Sequence, residues 1–171
     1  MKKKLILIGG TMGVGKTATS RELHKLLLPS AFLDGDWCWD LNPFIVNEEN
    51  KAMVMDHICH LLQGFLTNSG LNYVIFCWVM HQQQIIDDIL RGLEPLDFEL
   101  LNISLTCQPQ ALRARFQKDA QVGLRQADAV QGSIARLPLY DLLDTIKLDV
   151  TAISPLQAAA QIAQWAQTPP A

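Results

Sequence analysis

Short apolar runs and longer amphipathic stretches take turns along the chain. Leu5–Gly9 is apolar and stopped by glycine, the pattern of a strand covered on both faces. A helix is predicted from about Lys16 to Leu28, ended by Pro29-Ser30. Ala31-Phe32-Leu33 reads as a second short strand that runs into Asp34-Gly35-Asp36. From Glu48 to Leu66, Val54, Ile58, Leu61, Leu62 and Phe65 recur at the helical period. Asn72–Met80 is the most strand-like segment, continuous and apolar as a central parallel strand should be. A helix through Ile85, Ile86, Ile89 and Leu90 follows, then a strand near Phe98–Leu105. Pro109 suits the first position of a helix that places Leu112 and Phe116 on one face. A further helical run carries Val130, Ile134 and Leu137, and Pro138 should break or kink it. Ile146–Val150 reads as the last strand and Pro155–Trp165 as a closing helix.

Strands and helices in strict alternation imply crossover connections and a parallel sheet covered on both faces, an α/β fold. At 171 residues, one domain over 1–167 is expected, with 168–171 as a flexible tail. A composition of 49% hydrophobic and 18% charged residues excludes global disorder. The net charge of −3 argues against attachment to nucleic acid or to an anionic membrane through bulk charge. Met1–Ile8 mimics a secretory signal, but the apolar stretch before Gly9 is only four residues, short of the ~7–15 that a signal core needs. No run reaches the ~18 apolar residues of a membrane span, so a cytoplasmic protein is expected. Cys38, Cys59, Cys77 and Cys107 lack metal-ligand spacing, and Cys77 and Cys107 read as small buried hydrophobes.

The sharpest chemical signal is Gly10-Thr11-Met12-Gly13-Val14-Gly15-Lys16-Thr17, a full G-x-x-x-x-G-K-[ST] match. Glycines let the backbone wrap until successive N–H groups point at phosphate oxygens, and the helix behind them adds its positive end. Lys16 then reaches the β- and γ-phosphates, and the Thr17 hydroxyl ligates Mg²⁺. At this chain's own frequencies a chance match anywhere is expected about 2 times in 1000. The match also follows a predicted strand and opens a predicted helix, the context it requires. Gly10, Met12, Gly13, Val14, Gly15, Lys16, Thr17 and Ala18 are therefore the candidate nucleotide-binding residues.

With this motif and element order, the chain resembles the small P-loop kinases. That group contains shikimate kinase, gluconate kinase, adenylate-kinase-like enzymes and chloramphenicol phosphotransferase. The likeness is greatest to kinase-like proteins of the tunicamycin-resistance type. The resemblance implies a three-layer α/β/α sandwich with about five parallel strands in the order 2-3-1-4-5, and Mg²⁺ with ATP as co-substrate. An Asn-Lys-x-Asp guanine-specificity motif is missing, which argues against a GTPase.

Asp34-Gly35-Asp36 stands at the carboxyl end of the second strand, where open α/β sheets bind ligands. It could be only an Asp-Gly turn. The resemblance instead makes Asp34 a metal-side group and Asp36 the group that orients or deprotonates the acceptor hydroxyl. The family often has an acidic residue at the end of its third strand, but this chain has Phe76-Cys77-Trp78-Val79-Met80-His81. Four of six arginines, Arg113, Arg115, Arg125 and Arg136, fall within 24 positions. Phosphoryl transfer is catalysed largely by positive charge placed around the transferring group. By resemblance Arg115 flanks the adenine, and Arg125 closes over the phosphates from a lid at about 117–128. The segment at about 36–70 would bind the acceptor, with Trp37, Trp39 and Phe44 as flat apolar walls and Arg113 as a further contact. His81 fits a structural role at a strand-helix junction better than a ligand role.

The function implied is transfer of the ATP γ-phosphate to a small-molecule hydroxyl by Lys16, Asp36 and Arg125, with Thr17 and Asp34 on the metal. Its partners would be ATP, ADP and that acceptor. A nucleoside or nucleotide kinase is the nearest alternative. A nucleotide-binding sensor without turnover is another, favoured by the missing third-strand acid.

Overall fold

The computed structural model describes residues 2–121 and 129–168. Five strands, β1 (Lys4–Gly9), β2 (Ser30–Asp34), β3 (Tyr73–Cys77), β4 (Glu99–Thr106) and β5 (Ile146–Asp149), form one sheet in the order β2-β3-β1-β4-β5. All four pairings are parallel. The helices are α1 (Lys16–Leu26), α2 (Glu48–Thr67), α3 (Gln83–Gly92), α4 (Pro109–Gln121), α5 (Val130–Asp141) and α6 (Pro155–Gln167). A five-residue 3₁₀ turn, Gly35–Trp39, follows β2 directly. This is the P-loop NTPase-like α/β fold.

The strands are continuous apolar runs because both faces of the sheet are buried. Along β1, Ile6 and Ile8 face Leu23 of α1 and Leu27 just beyond it, Leu112 and Phe116 of α4, and Ile162 of α6. Leu5 and Leu7 face Val54, Ile58 and Leu62 of α2 and Ile86 and Ile89 of α3. The same alternation puts Ile75 and Cys77 of β3 in the first layer and Val74 and Phe76 in the second. Helix ends follow local chemistry. Asn47 caps α2, and Ser154 with Gln157 forms a capping box behind Pro155 at the start of α6.

Two boundaries differ from the sequence reading. β3 ends at Cys77 rather than continuing to Met80. The chain leaves the sheet there, with Met80 at φ 21° and fully buried. Pro138 neither breaks nor ends α5, which runs on to Asp141. Proline removes one helical hydrogen bond, but Leu137 and Tyr140 on either side of it are buried in opposite core layers. The Tyr140 hydroxyl also donates to the Val79 carbonyl. Packing of that turn outweighs the missing bond. Cys77 and Cys107 are buried and unpaired, and Trp165 packs against the first core layer. Among the described residues no helix is long and apolar enough to cross a membrane.

The central layer should dominate stability. Phe76 is fully buried whereas Leu100 on the same sheet is 42% exposed. Phe76→Ala is expected to lower the unfolding free energy by about 3–5 kcal/mol, and Leu100→Ala by less than about 1 kcal/mol. Urea unfolding followed by circular dichroism measures both.

Candidate functional site

The carboxyl end of β1 opens into the loop Gly10–Gly15, which α1 follows at Lys16. Gly13 has φ +83°, and a Cβ there would lie 2.3 Å from the Phe116 ring. Gly15, at φ +108°, is the left-handed residue that caps α1. The loop is fastened at several points. The fully buried Thr11 donates its hydroxyl to the Ser133 carbonyl of α5 at 2.8 Å. Lys16 Nζ donates to the Thr11 carbonyl at 3.1 Å, which curls its side chain back over the loop. Phe116 packs beneath Gly13 from α4, and only a residue without a side chain lets it approach so closely.

On the β2 side, Thr17 Oγ1 donates to Asp34 Oδ2 at 2.6 Å. The other oxygen, Asp34 Oδ1, accepts from the Asp36 backbone N–H at 3.1 Å and so caps the 3₁₀ turn. Asp34 is only 4% exposed. A carboxylate held there needs these donors, because desolvation without hydrogen bonds costs several kcal/mol. Asp34 is in register with Cys77 across the parallel β2–β3 pair. Burial, and next the Asp34 charge, push the Cys77 thiol up to about 12. It is therefore a neutral thiol at any physiological pH.

A cavity of about 670 Å³ lies over the loop. Met12 to Thr19 form its floor, Asp36 and Val79 line it from the β2–β3 side, and Arg115, Val150, Ile153, Ser154 and Pro155 line it from the β4–β5 side. Arg115 reaches from α4 to donate to the Val14 carbonyl at 2.9 Å and also to the Val150 carbonyl. It thereby braces the loop after β5 against the phosphate loop. The geometry provides a groove with a phosphate cradle in the middle, a carboxylate at one end and a partly apolar recess at the other.

Of the sequence candidates, Met12 to Ala18, Arg115 and Asp36 line this cavity, and Asp34 touches it through Thr17. Gly10 supports the loop from outside the lining, close to Val14 and the Leu105 carbonyl. Trp37, Trp39, Phe44 and Arg113 are not brought into the lining. Trp37 packs edge-on against Phe32 at 5.2 Å, and Trp39 packs against Phe44 at 5.7 Å and Trp78 at 6.4 Å. Arg113 is exposed on α4, and Arg136 is exposed with a bond to the Gly132 carbonyl. Arg125 lies outside the described residues, as does most of the segment expected to form a lid. His81 is half-buried, and burial followed by the nearby Arg136 charge lowers its pKa. It does not line the cavity.

Sequence reading missed Arg21, Lys118, Val150, Ile153, Ser154 and Pro155, all in the lining. One signal was available for the last of these. The Ser154-Pro155 helix start follows a strand at the same sheet edge as the phosphate loop, where such folds bind ligands. For a cation, Thr17 and Asp34 supply hard oxygen donors of the kind Mg²⁺ takes, with the remainder left to phosphates and water. Among the described residues no group of three or more His, Cys, Asp or Glu side chains forms a self-sufficient metal site.

A family model described as "AAA domain" matches residues 6–131. Solved structures with the same fold include the Deinococcus radiodurans tunicamycin resistance protein (20% identity, 99% of this chain and 100% of that one, TM-score 0.67). A sugar kinase from Janibacter sp. is 14% identical over 97% and 95% of the two chains, at a TM-score of 0.71. The Mycobacterium tuberculosis APS kinase, solved in complex with AMPPNP and APS, is 14% identical over 98% and 99%, at a TM-score of 0.67. No curated protein matches the chain.

The close approach at Gly13 sets a test of the loop. Gly13→Ala adds a Cβ where the Phe116 ring stands and demands a left-handed alanine, a strain of about 1–3 kcal/mol. Nucleotide affinity is expected to fall about tenfold or more, as read by calorimetric titration with ADP. Gly64→Ala, in the open interior of α2 where a Cβ meets nothing, should raise stability by about 0.5–1 kcal/mol and leave affinity unchanged.

Proposed function

The chain belongs to the AAA domain family, and from that premise and the site geometry we propose that it is an ATP-dependent phosphotransferase acting on a small-molecule hydroxyl. The observation that carries the reading is the junction of Thr17, Asp34 and Asp36. One buried carboxylate binds the loop hydroxyl and, through its second oxygen, sets the turn that carries the next carboxylate into the same cavity.

In this reading the triphosphate lies on the loop N–H groups, with the base toward Arg115, Val150 and Pro155. The recess there is walled in part by the apolar Val150, Ile153 and Pro155, and the braced guanidinium offers a face for a ring. Lys16 leaves the Thr11 carbonyl to meet the β- and γ-phosphates. That carbonyl is a weaker partner than two phosphate oxygens, which favours the exchange. Thr17 and Asp34 would hold Mg²⁺, which when bound would offset the phosphate charge. Asp36, fixed at the opposite end from the base, orients the acceptor hydroxyl for in-line attack and accepts its proton. Arg125 supplies positive charge over the γ-phosphate from the segment 117–128. The acceptor enters over residues 36–70, and the domain extends over residues 1–167.

A second reading, nucleotide binding without turnover, draws on one feature: β3 ends in Cys77, with no carboxylate at that position. ATP consumption stimulated by a candidate acceptor distinguishes the two, since a binder shows none.

Lys16→Met keeps much of the stem and removes the charge, so turnover is expected to fall roughly a hundredfold or more with the fold intact. The carboxylates should separate in a Mg²⁺ titration of ATP turnover. Asp36→Asn preserves Mg-ATP binding and suppresses transfer, because an amide takes no proton. Asp34→Asn raises the Mg²⁺ requirement. If excess Mg²⁺ rescues Asp36→Asn and not Asp34→Asn, the two roles are reversed. Normal turnover in Lys16→Met would remove the mechanism altogether.

A further inference from the structure

Arg21 lines the cavity, and the proposed reaction gives it no part. It stands on the α1 helix one turn past Thr17 and three residues before His24. Residues three and four apart share one face of a helix, and the contacts fix which face this is. Thr17 donates to Asp34 at the end of β2. His24 is hydrogen-bonded to Ser30 at 2.8 Å, where β2 begins, and its ring lies against Phe32 in the middle of that strand. Arg21 therefore sits between two ties to β2, on the flank of the cavity that Asp36 lines and away from Arg115 and Pro155. A helical side chain leans toward the N-terminus of its helix, here back toward Thr17 and the phosphate loop.

The charge of Arg21 is uncommitted. Arg115 is held by two backbone carbonyls, and Lys16 reaches back to a third. Exposed Arg21 has no hydrogen bond or ion pair among the described residues. A nucleotide's phosphates already have the loop N–H groups, the end of α1 and Lys16. On the Asp36 flank the other fixed charges are the carboxylates of Asp34 and Asp36, and a γ-phosphate would add to them. A neutral acceptor needs no further cation there. An acceptor with an anionic group of its own would be repelled unless a cation stood on the same flank. Arginine suits that task, because its planar fork meets a carboxylate or a phosphate through two parallel hydrogen bonds.

We infer that Arg21 is an acceptor-binding residue, and that the acceptor is a hydroxyl compound carrying an anionic group, either a carboxylate or a phosphate monoester. The inference rests on the acceptor-side role proposed for Asp36 and narrows it: Asp36 receives the hydroxyl, and Arg21 receives the charge.

The test is calorimetric binding to the full chain with its phosphate loop first filled by Mg-AMPPNP, so no turnover is needed. The probes are glucose, gluconate and glucose phosphorylated on its terminal carbon. They share a polyhydroxyl carbon chain and carry no charge, a carboxylate or a phosphate. At least one of the two anions should bind about tenfold or more tighter than glucose, the worth of a charge-assisted pair. The tighter anion identifies the group. Arg21→Ala should remove that gap and hold Mg-AMPPNP affinity within about twofold of the parent. Arg21→Lys keeps a point charge without the fork and should retain part of the gap. A gap that survives in Arg21→Ala, anions no tighter than glucose, or no binding by any probe would each overturn the inference and leave the phosphotransferase reading standing. So would a larger loss of Mg-AMPPNP affinity in Arg21→Ala, which would make Arg21 a nucleotide contact. A parent protein that does not bind Mg-AMPPNP would overturn both.

Discussion

The architecture hangs on the position of β1. It is the only strand with β3 on one side and β4 on the other, each bonded to it in parallel over five or six residues. A parallel ladder sends every strand out at the same edge, so the loop after Gly9 emerges at the middle of that edge with a strand end to either side. All later chemistry inherits this placement. The loop after β2 brings Asp36 from one flank, and the loop after β5 brings Val150 and Pro155 from the other. Neither flank is near the phosphate loop in sequence. The same five strands in another order would leave these residues scattered.

Two bonds turn this proximity into a defined site. Thr17 to Asp34 ties the first turn of α1 to β2, and Arg115 ties Val14 to Val150. Both are charge-assisted, which makes them stronger than neutral pairs, and both are sheltered from full solvent screening. They act on opposite sides of the loop, so its backbone is braced across the sheet edge rather than along it. Phosphate recognition by N–H groups depends on such fixed dipoles, because groups already aimed cost nothing to reorganise.

What the sequence made legible was local. The Gly10–Thr17 spacing states its own geometry, and the apolar periods of α2 and the strands follow from burial on one face or two. The sheet order came with the family resemblance. The rest is decided between distant segments. The end of β3 at Cys77 is set by how Trp78 packs over Gly35, where an added Cβ would fall 2.5 Å from the indole. The run Trp78-Val79-Met80 is as apolar as the strand before it and carries no sign of that contact. Pro138 stays inside α5 because its neighbours are buried in two different core layers, a fact of packing that helix propensity cannot see. Arg115 was identifiable as a site arginine, but its partners are two backbone carbonyls, and a carbonyl has no signature in a sequence.

The aromatic residues after Asp36 show how composition can point to the right place with a different role. Trp37 and Trp39 flank the catalytic candidate, which suggested walls for an acceptor. In the structure Trp37 packs edge-on against Phe32 of β2, while Trp39 packs against Trp78 at the end of β3 and against Phe44. Trp39 and Trp78 both pack against the core layer beneath α2 and α3. The turn Gly35–Trp39 is therefore gripped on both sides by rings and capped at its start by Asp34. Such a turn has little freedom to swing, and aromatic pairs supply that stiffness at small entropic cost. In the proposed reaction Asp36 would gain more from an immobile backbone than from an extra contact, because small displacements are costly in the transition state. The tryptophans serve Asp36 by holding the turn that carries it, and they do so without touching the cavity.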